Sequence, residues 1–218
     1  MEIKLIDDNI NYEYIIRYIR DVLPESGGYI KIMEEYAFKN DVPISQPETI
    51  RLIEILMKLG RIKSVLEVGT AIGYSAIRMS KATNAKVDTV EIWNKMVEVS
   101  TANIEHENLS KMITVHHGDA KEILPKLDGE YDMIFIDAAK AQYNEFFPHC
   151  MRMLKNGGLI VSDNVLYKGM TATDELLQHR KRTIVKRLRD YLEMLKENKE
   201  LDTVVLPVGD GVALSFKS

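Results

Sequence analysis

The sequence predicts an α/β fold, in which helices cover a seven-stranded and mostly parallel sheet. From residue 64 onward, short β-branched runs alternate with longer amphipathic segments, which is typical of strand–helix–strand units. Two further runs near the end of the chain are separated by GDG at 209–211, a tight-turn signal. These last runs predict an antiparallel C-terminal hairpin strand at the sheet edge.

The order of the elements follows from the spacing of the apolar residues. Before residue 61 only helices are predicted, near 9–22, 28–39 and 47–59. Strands are predicted near 64–68, 87–92, 112–116, 132–137, 158–163, 203–208 and 212–217. The intervening helices are predicted near 73–82, 94–106, 119–127, 141–153 and 174–197. No repeat or linker divides the chain, so we expect one domain over 1–218, with residues 1–60 as a helical cover and 61–218 as the sheet region.

The composition indicates a globular cytoplasmic protein. The chain has 218 residues and is 45% hydrophobic, which is enough for a sizeable core. No apolar run reaches 18 residues, and charges are mixed throughout the first twenty, so neither a membrane span nor a signal peptide is expected. The single cysteine, Cys150, suits a reducing compartment.

The charge balance limits nucleic-acid binding to a local surface. The net charge is −4, which argues against binding over the whole protein. The run HRKRTIVKRLR at 179–189 nevertheless holds six Lys or Arg residues. It predicts either a phosphate-binding patch or a solvated helix face.

A glycine-containing turn follows the first predicted strand. In SVLEVGTAIGYSAI, Gly69 and Gly73 lie between that strand and the next helix. Glycines allow a ligand to approach the backbone, and the helix start offers free N–H groups. The Gly-x-x-x-Gly spacing differs from the Gly-x-Gly-x-x-Gly of dinucleotide-binding turns and favours a ligand without phosphates. The alternative is that these glycines only shape the turn.

Carboxylates surround this predicted crevice. Glu91 ends the second strand, where an acid commonly accepts hydrogen bonds from ribose hydroxyls. Glu67 and Asp119 add further acids at strand ends. Clustered carboxylates suit a cationic ligand. S-adenosylmethionine has a ribose, an adenine and a sulfonium cation but no phosphate, so it is the natural candidate and residues 61–218 would form its cofactor-binding sheet.

The next two strands end in oxygen-bearing side chains. Asp137 follows one of them, and Asp163 and Asn164 follow the other. Neighbouring strands lie about 4.8 Å apart, so these three side chains can converge on one ion. Such hard oxygen ligands suit Mg²⁺ or a similar divalent cation. The alternative is that each residue caps the segment after it.

Lys140 lies three residues after Asp137, at the start of the predicted helix. A nearby metal ion and a lysine of lowered pKa can both help a hydroxyl to lose its proton. Lys140 is therefore the candidate catalytic residue, either as general base or as the group that orients the hydroxyl. A solvated lysine at a helix start remains the alternative.

An ordered set of motifs resembles the cation-dependent O-methyltransferases related to catechol and caffeoyl-CoA O-methyltransferases. The motifs are LEVGTAIGYSAI, VEI, HGDA, FIDAAKAQY, VSDNVLYKG and PVGDGVALS, and the similarity runs from about residue 40 to the end. More narrowly, VPI, DAAKAQY, DNVLYKGM and PVGDG look like the bacterial tRNA 5-hydroxyuridine methyltransferase branch. The resemblance implies a Rossmann-like class I methyltransferase fold.

The resemblance also implies roles for individual residues. Metal ligation falls to Asp137, Asp163 and Asn164, with Lys140 as the deprotonating or orienting group. Together with the acids and glycines above, the expected cofactor-binding residues are Ser45, Glu67, Gly69, Gly73, Ser75, Glu91, Asp119, Ala120 and Asp137. The expected cofactors are S-adenosylmethionine and Mg²⁺.

Two substrate classes remain open at this point. In 5-hydroxyuridine of tRNA, the 5-hydroxyl and the 4-carbonyl are adjacent oxygens that could bind one ion together, as the two oxygens of a catechol do. The 179–189 run could then hold tRNA phosphates, and Tyr143 or Tyr167 could either stack on bases or pack in the core. The alternative substrate is a small catechol-like or caffeoyl-type phenol. The helical first sixty residues, which could pair with a second subunit, predict a homodimer.

Overall fold

The computed structural model describes residues 10–218. A seven-stranded sheet has the order β3-β2-β1-β4-β5-β7-β6, and β7 runs antiparallel to both of its neighbours, β5 and β6. The strands are β1 Ser64–Val68, β2 Lys86–Glu91, β3 Ile113–His117, β4 Tyr131–Ile136, β5 Leu154–Ser162, β6 Leu201–Leu206 and β7 Val212–Lys217. The predicted α/β class and the hairpin strand are thus confirmed.

Eight α-helices accompany this sheet within residues 10–218. They are α1 Glu13–Val22, α2 Gly28–Lys39, α3 Pro47–Leu59, α4 Tyr74–Thr83, α5 Asn94–His106, α6 Ala120–Ile123, α7 Tyr143–Met153 and α8 Arg182–Glu197. Three 3₁₀ turns lie at Leu124–Lys126, Lys140–Gln142 and His179–Lys181. None of these described helices is long and apolar enough to cross a membrane.

The central strands are buried on both faces, because helices pack on each side of the sheet. On β4, Met133 and Phe135 join a core with α2, α3, α4 and α5, whereas Ile134 and Ile136 join a core with α7 and α8. Successive side chains of a strand point to opposite faces, so a strand covered on both sides reads as an apolar run. This explains the sequence YDMIFI of β4.

Two predicted elements differ from the observed ones because of local contacts. Helix α8 begins at Arg182 and not near 174, because Arg189 holds the preceding segment in a turn: its guanidinium donates to the carbonyls of Met170 and Thr171 and pairs with Asp174. Strand β5 begins earlier than predicted, because Leu154 already pairs with Tyr131 of β4. The register then shifts before Leu159 pairs with Met133, and Gly157, with a φ of +78°, lies in the extra stretch of β5 between these two pairs.

Smaller differences occur at two other helices. The predicted helix near 119–127 is a four-residue α-helix followed by a 3₁₀ turn, since Pro125 lies at its junction. The helix predicted near 9–22 begins at Glu13, and residue 9 lies outside the described residues.

Candidate active site

Backbone hydrogen bonds hold the C-terminal ends of four neighbouring strands together. The N–H of Gly69 donates to the carbonyl of Val90 at 3.1 Å, and the N–H of Asp137 donates to Val68 at 3.0 Å. The N–H of Asp163 donates to Ile136 at 3.0 Å. Asp137 and Asp163 therefore continue the β4–β5 register beyond the pair Ile136–Ser162 and lie side by side.

A cleft of about 1620 Å³ opens at these strand ends. Ligands of open α/β sheets bind at the carboxyl ends of the strands, which is where this cleft lies. Its walls include most of the residues expected to bind ligands: Ser45, Gly69, Ser75, Glu91, Asp119, Ala120, Asp137, Lys140, Asp163 and Asn164. Glu67 and Gly73 do not line it.

The two glycines are required by the protein itself. Gly69 has a φ of +107°, and a Cβ atom there would lie 2.1 Å from the carbonyl oxygen of Asp137. Gly73 has a φ of +80° and is the N-cap of α4, with Ser100 3.2 Å from the position of a Cβ. The turn geometry thus explains both glycines without a ligand, and it also brings the strand ends close together.

Glu67 lies behind the cleft wall and is fully buried. Its carboxyl group is hydrogen-bonded by the hydroxyl of Ser75 and, at 2.5 Å, by that of Thr89. Burial raises the pKa of Glu67 to about 8, so the group is largely neutral at pH 7. Glu67 orients Ser75, which does line the cleft.

Glu91 and Asp119 are fixed by backbone N–H groups. Glu91 accepts hydrogen bonds from Ala71 at 2.8 Å and Trp93 at 2.9 Å, which hold its carboxylate at the cleft wall. Asp119 caps α6 and accepts from the N–H of Lys121 at 2.9 Å. Asp119 thus acts as the N-cap of α6 and also lines the cleft.

Asp163 is the more buried member of the carboxylate pair. Its Oδ1 accepts the N–H of Asn164 at 2.7 Å, and Asn164 adopts a φ of +57°. Burial, together with the nearby charge of Asp137, raises the pKa of Asp163 well above its usual range. Nζ of Lys140 lies 3.4 Å from Oδ1 of Asp137.

This donor set fits a hard divalent cation. Two adjacent carboxylates, one of them buried, repel each other, and a cation between them would remove that cost. Residues 10–218 contain no cluster of three or more His, Cys, Asp or Glu side chains able to hold a metal ion. An amide oxygen could supply a third protein ligand, and Asn164, which directly follows Asp163, lines the cleft.

Ser45 fits a contact to a bound ligand. Its hydroxyl is buried in the cleft wall and has no hydrogen-bond partner within the described residues. A buried hydroxyl without a partner costs free energy that a ligand would recover. Other wall residues, including Lys31, Glu34 and Phe38 of α2, carried no motif and were not predicted.

The basic run lies beside the mouth of the cleft. Nζ of Lys181 is 5.8 Å from the ring centroid of Tyr167, which lines the cleft. Arg180, Arg182 and Lys186 are exposed and form no ion pair with any described residue. In contrast, Arg189 holds the turn at 170–174, as described above.

Two side chains that were predicted to contact RNA instead contact other parts of the protein. Arg187 donates to Glu145 and to the carbonyl of Ala141, both at 2.8 Å. Tyr143 is fully buried, so it cannot stack on a base. Base stacking is therefore wrong for Tyr143 and the packing alternative holds, because its ring packs in the core against Tyr191.

Comparisons with known proteins point to one family. Residues 29–218 match the family model described as O-methyltransferase. The chain is 33% identical to a catechol O-methyltransferase of Niastella koreensis, over 96% of this chain and 99% of that protein.

Solved structures agree with this match. A Staphylococcus aureus protein, whose assignment as a caffeoyl-CoA O-methyltransferase is provisional, has a TM-score of 0.88 and 33% identity, covering 94% of this chain and 100% of that one. A Podospora anserina methyltransferase with bound S-adenosylhomocysteine shares the fold, with a TM-score of 0.85, 23% identity and 94% coverage of each chain.

Proposed function

We propose that this chain, which belongs to the O-methyltransferase family, transfers a methyl group from S-adenosylmethionine to 5-hydroxyuridine in the wobble position of tRNA. The methyl group would be attached to the 5-hydroxyl, and the product would be 5-methoxyuridine. The observation that carries the substrate assignment is the basic segment at the cleft mouth, where Lys181 adjoins Tyr167. An uncharged catechol carries no phosphate for these cations to contact.

The cofactor would occupy the part of the cleft around the β1–α4 turn. S-adenosylmethionine, when bound, supplies an electrophilic methyl group. Glu91 would accept hydrogen bonds from its ribose, and Ser45 and Ser75 would offer hydroxyls to its polar groups. Asp119 and Ala120 line the same wall, next to the short helix α6.

The metal-binding role is assigned to Asp137, Asp163 and Asn164. A divalent cation, when bound, supplies positive charge that favours loss of the hydroxyl proton. Lys140 would accept that proton at Nζ or hold the hydroxyl in line with the methyl group. Asp137, at 3.4 Å, would keep the Lys140 side chain pointing toward the reacting oxygen.

A small phenol is the second candidate substrate. The Niastella koreensis relative is named a catechol O-methyltransferase, and a catechol has the same pair of adjacent oxygens as 5-hydroxyuridine. The two candidates differ in size and charge. A phenol needs only the cleft, whereas tRNA must also contact the surface around it.

Separate methylation assays with each substrate distinguish the two candidates. The purified chain, with Mg²⁺ and radiolabelled S-adenosylmethionine, receives either tRNA that contains 5-hydroxyuridine or catechol. We expect label in tRNA as 5-methoxyuridine, detected by nucleoside mass analysis, and loss of label when a chelator is added. Efficient methylation of catechol with none of tRNA would establish the phenol reading and overturn the tRNA proposal.

A homodimer in the cytoplasm is part of the proposal. The outward face of α1 exposes Tyr14, Tyr18 and Val22 at helical spacing, which is more apolar surface than a solvated helix needs. Light scattering after size-exclusion chromatography should give twice the mass of one chain. A monomeric mass at micromolar concentration would remove this part of the proposal.

A further inference from the structure

The buried hydroxyl of Tyr143 lies directly beneath the strand ends that form the proposed metal site. Tyr143 is the first residue of α7, one turn after Lys140, and its side chain is fully buried. Its oxygen is 2.9 Å from the carbonyl oxygen of Asp163 and 3.2 Å from that of Ile136. The phenol thus bridges the ends of β4 and β5.

The carbonyl of Asp163 needs this partner because the strand ends there. The N–H of Asp163 still bonds to Ile136 in the ladder, but Asn164 turns into the left-handed region with a φ of +57°. A buried carbonyl outside the ladder costs free energy unless a donor reaches it. The Tyr143 hydroxyl is that donor.

The Asp163–Asn164 peptide is consequently held at both of its polar atoms. Its C=O accepts from Tyr143, and its N–H donates to the Asp163 carboxylate at 2.7 Å. The orientation of this peptide sets where the Asn164 side chain leaves the backbone and how the Asp163 carboxylate is turned. Both side chains line the cleft.

The ring of Tyr143 is itself held in place by a second tyrosine. Its centroid is 5.4 Å from that of Tyr191 in an edge-to-face arrangement. The hydroxyl of Tyr191 bonds to Ser162 Oγ at 2.6 Å. Tyr191 therefore contacts the same strand end but reaches only a side chain there, and no peptide group of Asp163 or Asn164.

We propose that Tyr143 is a positioning residue for the divalent-cation site, and that its hydroxyl orients the Asp163–Asn164 peptide so that both side chains can bind one ion. This inference rests on the metal site of the proposed function. Residues that orient metal ligands typically change metal affinity by about 10–100-fold when they are altered.

The test measures metal affinity and does not depend on turnover. Tyr143→Phe keeps the ring and removes only the hydroxyl. Mn²⁺, used as the probe, is titrated into wild-type chain and variant with calorimetry and electron paramagnetic resonance. We expect the Kd for Mn²⁺ to rise about tenfold or more, while the Kd for S-adenosylhomocysteine stays at the wild-type value.

The matched control is Tyr191→Phe, which removes the other hydroxyl of the same buried pair. It should lower the melting temperature to a similar extent and leave Mn²⁺ affinity unchanged. Wild-type Mn²⁺ affinity in Tyr143→Phe overturns the inference, and so does an equal loss of affinity in both variants. If Tyr143→Phe does not fold, 4-methylphenylalanine at position 143 fills the space without a donor, and the same outcomes decide.

The inference and the proposed function can fail separately. Wild-type chain that binds Mn²⁺ but methylates neither tRNA nor catechol removes the proposed function and leaves the Tyr143 inference standing. Wild-type chain that methylates tRNA and binds Mn²⁺, with an unaffected Tyr143→Phe variant, removes only the inference. Wild-type chain that binds no Mn²⁺ removes the inference and the metal-binding part of the proposed function, while the methylation assay still decides the substrate.

Discussion

Nζ of Lys140 lies 3.4 Å from Oδ1 of Asp137, where strand β4 gives way to a 3₁₀ turn. This pair links the proposed proton acceptor to a proposed metal ligand. Replacing Lys140 by Met keeps the length of the side chain and removes its charge. We expect kcat for the methylated substrate to fall about 100-fold or more, because a positioned proton acceptor typically contributes that much. Steady-state kinetics and calorimetry with S-adenosylhomocysteine check it.

The control is a second lysine–aspartate pair, which lies near the N-terminal ends of β4 and β5. Lys155 pairs with Asp132 at 2.8 Å, beside the start of β1. Lys155→Met should leave kcat unchanged. Cofactor binding lost in Lys140→Met, or an equal drop in kcat for both variants, would contradict a role for Lys140 in the chemistry.

Gly69→Ala should disrupt both the fold and the cleft. Its Cβ would lie 2.1 Å from the backbone oxygen of Asp137, and its φ of +107° is unfavourable for alanine. We expect a loss of about 3 kcal/mol or more in the free energy of unfolding, measured by urea denaturation. The control, Gly157→Ala, also has a positive φ of +78° but open space around it, so it should lose only about 1 kcal/mol. Similar losses in the two variants would contradict the steric explanation.

Glu67→Gln should change the pH dependence of stability. The pKa of Glu67 is raised by burial to about 8, above its unfolded value of 4.5. Stability from the neutral carboxyl is therefore fully present below pH 4.5 and is lost as pH rises through about 8. Relative to the variant, the wild-type chain should lose up to about 1.4 kcal/mol per pH unit across this window.

Urea denaturation of both chains at several pH values between 5 and 9 measures this difference. The Gln variant keeps the shape of the side chain and cannot ionise, so its stability should follow a flatter curve. Parallel curves for the two chains would mean that Glu67 is already ionised in the folded protein at neutral pH.

The basic segment should matter for tRNA and not for small ligands. Arg180, Arg182 and Lys186 are exposed, so changing all three to serine should leave the melting temperature and cofactor affinity unchanged. We expect weaker tRNA binding and a slope of log K against log salt that is lower by about 2, because two or three phosphate contacts are lost. Filter binding at several salt concentrations measures this slope. An unchanged slope would move the tRNA contact to another surface.

Local sequence patterns were sufficient for the sheet and for most of the cleft. Alternating strands and helices imply parallel pairing, and parallel pairing places the C-terminal ends of the strands side by side. For that reason Asp137, Asp163 and Glu91 could be assigned to one site from their positions after apolar runs. Their assembly needs no information beyond the order of elements.

Contacts between distant parts of the chain were not predictable in this way. The start of α8 depends on the hydrogen bonds of Arg189 to carbonyls about 18 residues away. Glu91 is the last residue of β2, whereas Glu67 is the penultimate residue of β1, and its buried side chain lies behind the cleft wall and does not line the cleft. Tyr143 reads as an accessible aromatic in AAKAQY, and only the packing of α7 on Tyr191 shows that it is core.

Strand β7 follows all the other strands in the chain, yet it lies between β5 and β6 and not at the rim. During synthesis, β5 leaves the ribosome with one long edge unpaired, and the apolar residues Ile160 and Val161 remain uncovered by their eventual neighbours Ser215 and Leu214. Exposed edges of this kind template aggregation. Nascent chains of this protein should therefore depend on chaperones until residues 212–217 have emerged.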